Sequence, residues 1–219
     1  MADEDDFQVW DSQCWFPPVE LAALVAAGVI PADAAVLDIG CGAGVEMAFL
    51  AKRGWRVYGI DTEASLIAKA KALAKRYGAR MELHRANVMD GPQALPTAWP
   101  RRFGVVLDRF CINNVVGDAV TDEQYMTAVS ALLDPGGLYI LRDRGNDDEM
   151  DATFRRRLFD ADDDAKLPGG ADTFFELLPG GRVLDVRLSG DDTPDWNRVD
   201  ALVPIRGQLA VLRRKATRR

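Results

Sequence analysis

Eight residues constrain this chain more than any others: Leu37-Asp38-Ile39-Gly40-Cys41-Gly42-Ala43-Gly44. The short apolar run Ala35-Val36-Leu37-Asp38-Ile39 suits a buried parallel strand. Three glycines at alternate positions then turn the chain sharply, and glycine lets the backbone come close to a ligand that a Cβ would block. A helix opening behind the turn, to about Arg53, offers N–H groups and positive potential. Strand, glycine turn and helix in that order point to an α/β chain that binds something at the turn.

The rest of the sequence repeats the same unit. Val57-Tyr58-Gly59-Ile60 reads as a second strand ending on Asp61. From Glu63 to Tyr77, Leu66, Ile67, Ala70, Leu73, Ala74 and Tyr77 recur at steps of three and four, and Gly78 stands where a helix C-cap glycine belongs. Residues 80–85 alternate as a third strand. After a loop marked by Pro92, Pro96 and Pro100, Phe103 to Leu107 makes a fourth strand, ending at Asp108. Thr121 with Gln124 forms a capping-box pattern for a helix to Leu133. Asp134-Pro135-Gly136-Gly137 stops it, and Leu138 to Leu141 is the fifth strand. Residues 182–188 and 209–212 read as two more strands with no clear helix between them. The expectation is a Rossmann-like, doubly wound, mostly parallel seven-stranded sheet with a C-terminal antiparallel strand pair. One domain over 1–219 accounts for the whole chain, with a helical lid in 1–30 and a substrate-loop insertion in 145–181.

Composition narrows the partners. Twenty-seven Lys and Arg face 34 Asp and Glu, a formal charge of −7, which repels polyanions and argues against nucleic acid. The basic C-terminal cluster of Arg213, Arg214, Lys215, Arg218 and Arg219 reads as a solvated tail. Cys14, Cys41 and Cys111 make no C-x-x-C pair, so neither a disulfide framework nor a metal site reads out of them. No apolar run has the roughly 18 to 20 residues that span a bilayer, and the acidic start is unlike a secretory leader. A cytoplasmic protein acting on a small molecule, with no nucleic-acid or membrane partner, is the expectation.

Two classes of ligand use such a turn. A dinucleotide site wants G-x-G-x-x-G, whose third glycine would fall on Val45, so a nicotinamide dehydrogenase is disfavoured. The spacing here is G-x-G-x-G, with Asp38 two residues ahead of the first glycine. A carboxylate there repels a pyrophosphate and suits an ammonium. Val36 to Gly44 resembles motif I of the class I S-adenosylmethionine-dependent methyltransferases, and the likeness continues through most of the chain. By that resemblance Gly40, Cys41, Gly42 and Gly44 cradle S-adenosylmethionine beside Asp38. Asp61, with Thr62 next to it, accepts from both ribose hydroxyls, a strong charge-assisted contact. Asn87 and Val88, in the segment Asn87-Val88-Met89-Asp90, match the part that reads the adenine. Pro135-Gly136-Gly137 is similar to the family's helix-to-strand turn. Two positions depart from the family pattern: Asn87 and Gly104 stand where Asp is common.

The reacting end follows from the same resemblance. Residues just past strand four lie beside the methyl group, which makes Asp108 the first candidate for a cofactor-contacting, substrate-facing or base role, with Arg109 and Asn113 behind it. Alternatively Asp108 pairs with Arg109 or Arg142 as structural ions. Trp10, Trp15 and Phe16 form either an aromatic lid over the acceptor or a patch packed on the core. Asp38 could cap the turn, Asp61 could also start the helix at 63, and Asn87 could be an ordinary turn residue. The resemblance implies methyl transfer to the oxygen, nitrogen or sulfur of a small-molecule acceptor by in-line displacement. The alternatives are a protein that holds S-adenosylmethionine without transferring methyl, and a methyltransferase for RNA or protein.

Overall fold

The computed structural model describes residues 21, 24, 25, 28–117, 119–143, 175–183 and 208–215. Among these, the strands are β1 (Ala35–Ile39), β2 (Arg56–Asp61), β3 (Met81–Arg85), β4 (Phe103–Arg109), β5 (Leu133–Asp143), β6 (Phe175–Val183) and β7 (Gln208–Arg214). The helices are α1 (Val45–Ala51), α2 (Ala64–Tyr77), α3 (Cys111–Val115) and α4 (Asp122–Ala131), with a 3₁₀ segment at Val88–Ala94. The seven strands form one sheet in the order β3-β2-β1-β4-β5-β7-β6. β1 to β5 run parallel, and β7 enters antiparallel between β5 and β6. This is a Rossmann-like α/β fold.

Alternation along the central strands divides the core between the two faces of the sheet. Leu37, Val106, Tyr139 and Leu141 point to the face that also buries Tyr125, Met126 and Val129 of α4. Val36, Val105, Leu107 and Ile140 point to the other, against Met47, Phe49 and Leu50 of α1 and Ile67 of α2. Leu21 and Leu24 join that second face, so part of the expected first helix packs on the sheet. Because helices cover both faces, the polar ligand groups of the chain are left at the strand ends.

Local chemistry accounts for the element boundaries. The capping box of α4 is complete: the Gln124 N–H donates to Thr121 Oγ1, and the Thr121 N–H donates to Gln124 Oε1. Gly78 closes α2 in the left-handed region, φ +59°. The expected end of α4 at Leu133 is two residues too long. Asp134-Pro135-Gly136-Gly137 is absorbed into the start of β5, with a register shift against β4 between Phe103 and Val105. β6 starts earlier than the residues expected for it and carries Gly180-Gly181 inside the strand, where its pairing with β7 shifts between Leu177 and Arg182. Arg213 and Arg214 belong to β7 rather than to a tail, and the Arg214 guanidinium donates to the Leu133 carbonyl. Gly104, where the family often has Asp, packs against Ala34: an added Cβ would lie 3.1 Å from the Ala34 Cβ.

Candidate active site

The strand order reverses between β1 and β4, and a cavity of 790 Å³ opens there at the carboxyl ends of the strands. The glycine turn forms one wall. Gly40, Gly42 and Gly44 all have positive φ (65°, 52° and 79°). The N–H of Gly44 donates to the Cys41 carbonyl at 2.8 Å, and that of Cys41 to the Ile60 carbonyl at 3.0 Å. Gly44 is needed for space as well as conformation, since a Cβ there would come within 3.1 Å of the Ala70 Cβ on α2. At Gly42 a Cβ would meet no protein atom within 4 Å, and this residue lines the cavity.

Asp61 ties the turn to the second strand. Its Oδ2 accepts from the Gly42 N–H at 2.9 Å and its Oδ1 from the Glu63 N–H at 2.8 Å. Two N–H donors use only part of a carboxylate's accepting capacity. Asp61, Thr62 and Glu63 line the cavity on this side, followed by Ala86, Asn87, Val88 and Met89. Asn87 caps the 3₁₀ segment, its Oδ1 accepting from the Met89 N–H at 3.0 Å.

The acids converge. All four buried acids among the described residues, Asp38, Glu46, Asp61 and Asp108, lie in this region. Asp38 is 2% exposed; burial pushes its carboxyl well above the usual range, and the negative charges of Glu46, Asp108 and Asp61 push the same way against Arg109. Burial also pushes the thiol of Cys41 far up, with Asp38, Asp61 and Glu46 adding to it. Cys111 behaves alike, through burial and then Asp108. Both thiols are reduced and line the cavity, and neither is a nucleophile in this setting.

Asp108 is not where a substrate-facing base would stand. It is 1% exposed and does not line the cavity. Its Oδ1 accepts from the N–H groups of Cys111 (2.8 Å) and Ile112 (3.2 Å), and its Oδ2 from the hydroxyls of Tyr125 (2.8 Å) and Tyr139 (2.6 Å). Burial raises its carboxyl to about 6, while the four hydrogen bonds hold it down. The strand reading alone could not reveal this, because the partners come from α3, α4 and β5. Asp108 therefore positions α3 and the residues ahead of it. Asn113 also falls outside the cavity lining; its neighbour Asn114 takes that place, donating to the Phe110 carbonyl at 3.0 Å. One residue along a helix turns a side chain by about 100°, and no sequence signal marked α3 as a helix.

Arg109 does line the cavity, and it forms an ion pair with Glu46 of α1. Glu46 is indistinguishable in sequence from an ordinary first-turn acid of a helix. Phe110, like Asn114, carries no mark in the sequence. It is the one non-glycine residue with positive φ among those described (66°), and its ring borders the cavity between Arg109 and Arg142, whose guanidinium carbons lie 5.4 and 5.0 Å from the ring centroid. A bulky residue held in the left-handed region marks a site where local strain is compensated by its surroundings. Trp10, Trp15, Phe16 and nearly all of the 145–181 segment lie outside the described residues.

Residues 36–137 match the model of a family described as a methyltransferase domain. Carboxy-S-adenosyl-L-methionine synthase of Campylobacter jejuni is 32% identical over 74 residues, 33% of this chain and 32% of that protein. Ubiquinone biosynthesis O-methyltransferase of Cereibacter sphaeroides is 36% identical over 105 residues, 48% of this chain and 39% of that protein. The matches thus span only about a third of the length of these curated relatives. A solved structure from work on the conversion of a disulfide bond into a thioacetal group during echinomycin biosynthesis aligns with a TM-score of 0.57 at 25% identity, covering 95% of this chain and 85% of that one.

Proposed function

We propose that the chain is a class I S-adenosylmethionine-dependent methyltransferase, a reading supported by the methyltransferase-domain match over residues 36–137, and that it transfers the methyl group of S-adenosylmethionine to a small-molecule acceptor. The observation that carries the reading is the cavity at the reversal between β1 and β4, whose floor is the glycine turn and whose side is Asp61.

The residues present fit that group. A volume of 790 Å³ lies in the range of small-molecule pockets, roughly 300 to 1,000 Å³. Asp61 keeps lone pairs for two ribose hydroxyls after accepting from Gly42 and Glu63. Asn87 keeps its amide N–H groups and a second lone pair for an adenine edge after capping Met89. Gly42 leaves open space beside Asp61, Thr62 borders the ribose side, and Val88 offers an apolar surface to a base. Asp38 is placed for an ammonium, which would bring it to its ionised form. Bound there, S-adenosylmethionine would supply an activated methyl group. The protein's own work is then to orient the acceptor, with Phe110, Asn114 and the Glu46–Arg109 pair as the described wall on that side. One domain over 1–219, with 1–30 and 145–181 closing the acceptor side, completes the proposal.

The test is calorimetric titration with S-adenosylmethionine, S-adenosylhomocysteine and NAD. A Kd on the order of micromolar for the first two, and none for NAD, is expected. Asp61→Ala abolishes that binding; because Asp61 also holds the turn, the variant's melting temperature without ligand separates loss of contacts from loss of fold. Binding of NAD alone would overturn the reading. A second reading is favoured by the 32% identity to carboxy-S-adenosyl-L-methionine synthase: S-adenosylmethionine itself is altered rather than spent. Mass spectrometry decides between them, because that route yields a heavier nucleoside and no S-adenosylhomocysteine.

A further inference from the structure

We propose that Arg109 binds the carboxylate at the amino-acid end of S-adenosylmethionine and completes, with Asp38, a site for a zwitterion. This rests on the cofactor reading above and deepens it by naming a binding residue for the ionic group that Asp38 and Asp61 do not serve.

Strand pairing brings the two residues together. β1 and β4 are parallel neighbours, with Asp38 opposite Leu107 and Ile39 opposite Asp108. Side chains alternate along each strand. Val36 of β1, with Val105 and Leu107 of β4, points to the face that α1 and α2 cover, so Asp38 and Arg109 point there too. Asp108 points to the other face, where the Tyr125 and Tyr139 hydroxyls donate to it. Arg109 therefore stands one pleat beyond the residue opposite Asp38, toward the strand ends where the cavity opens, and both line that cavity. Glu46, in the first turn of α1, reaches the same place from the helix layer and pairs with Arg109.

An α-amino acid carries its ammonium and its carboxylate on one carbon. A residue that holds the first thus fixes the second within a few ångströms. Asp38 suits the ammonium and repels the carboxylate, which needs a cation within reach of Asp38. Arg109 meets that condition, and its positive charge is felt at Asp38. Arg76 is the other cation in the described lining. It sits in the last turn of α2, with its guanidinium over Tyr77. Because α2 runs back from the end of β2 to the start of β3, that turn lies toward the amino ends of the strands.

The pair with Glu46 is compatible with this role. It uses Nη1 of Arg109, whereas a guanidinium spreads five N–H donors over three nitrogens in a planar fork. One carboxylate orients the fork, and a second can meet another edge of it. Glu46 is then a positioning residue for Arg109. The charges also balance. Asp38 and Glu46, ionised, against Arg109 leave one negative charge, and the ligand's ammonium, sulfonium and carboxylate together bring one positive.

The experiment measures, by calorimetry on the full chain, binding of S-adenosylhomocysteine and of its decarboxylated analogue, which keeps the adenosine and the amine. The wild type is expected to prefer S-adenosylhomocysteine by at least about tenfold. Arg109→Met is expected to bring that preference below about threefold by weakening S-adenosylhomocysteine, with the analogue held within about threefold of its wild-type affinity. If Glu46 without its partner unfolds that variant, E46Q/R109M removes both charges, and E46Q, which keeps the guanidinium and the preference, is its reference. A wild type that binds the two ligands equally overturns the assignment, and so does a variant lacking Arg109 that keeps the preference. Equal weakening of both ligands by Arg109→Met overturns it as well, because a purely structural role acts that way. Failure of S-adenosylhomocysteine to bind the wild type overturns instead the cofactor reading beneath it.

Discussion

At the scale of single residues, the acid at the end of β4 shows how burial converts a candidate base into a positioning group. Burial pushes the Asp108 carboxyl up to about 6 from the ordinary value of 3.8. The folded protein therefore holds a proton that the unfolded chain releases between those values. Its contribution to stability is fully present below about pH 4 and lost as pH rises to about 6, a difference of about 3 kcal/mol. Denaturant titrations across pH 4 to 7 should show that slope, and Asp108→Asn should remove it. Asp38 is raised in the same sense, in part by the charge of Asp108, so the variant removes the Asp108 slope and also eases that of Asp38. A variant with an unchanged slope would place the titration elsewhere. Glycine positions give a second residue-scale prediction. Gly44→Ala forces a Cβ to 3.1 Å from Ala70 at φ +79° and should cost about 2 kcal/mol of stability. Gly42→Ala meets no protein atom, should cost about 1 kcal/mol, and should weaken S-adenosylhomocysteine by tenfold or about that. Melting and calorimetry on the two variants check the contrast.

At the scale of elements, α4 and α3 differ in how far their own residues define them. The capping box of α4 is local, and Thr121→Ala should lower stability by about 1 kcal/mol without changing ligand affinity, as thermal melting and calorimetry would register. α3 has five residues and no side-chain cap within the helix. It is held by Asp108 from β4, and Asp108 in turn by Tyr125 of α4 and Tyr139 of β5. Tyr139→Phe should therefore loosen α3 selectively, which amide exchange at Cys111 and Ile112 would detect as faster exchange than at β4. Uniform protection across both elements would mean that the network does not hold the helix. Strand assignments were legible where apolar runs are short and bounded, as in β1 and β2. At β5 and β6 the strands were legible but their starts were not, because Pro135-Gly136-Gly137 and Gly180-Gly181 look like turns and are instead included in strands whose pairing shifts register there.

At the scale of the whole molecule, charge is distributed on two levels. The net −7 is a surface field that salt screens. The acids at the cavity are buried, where screening is weak. Affinity for S-adenosylhomocysteine should accordingly change by no more than about threefold between low and moderate salt. A short RNA should not compete for the site at low salt; competition that falls steeply with added salt would favour an RNA acceptor instead.

The sequence by itself determined the class of fold, the turn and the side of the cavity proposed for the cofactor. Those follow from contacts near in the chain or from a strand end, and from residue types with few substitutes: glycine for positive φ and close approach, an acid at the end of β2. Gly40, Gly42, Gly44, Asp61 and Asn87 all border the cavity as their positions suggested. Only the tertiary structure decided the opposite wall, where the acceptor is proposed to sit. Glu46 meets Arg109 across 63 positions of chain, and Asp108 meets Tyr139 across 31. Which side of a five-residue helix faces the cavity depends on its neighbours, so Asn114 lines it and Asn113 does not. Long-range pairing of charges leaves no local pattern, because burial, not spacing, gives those charges their strength.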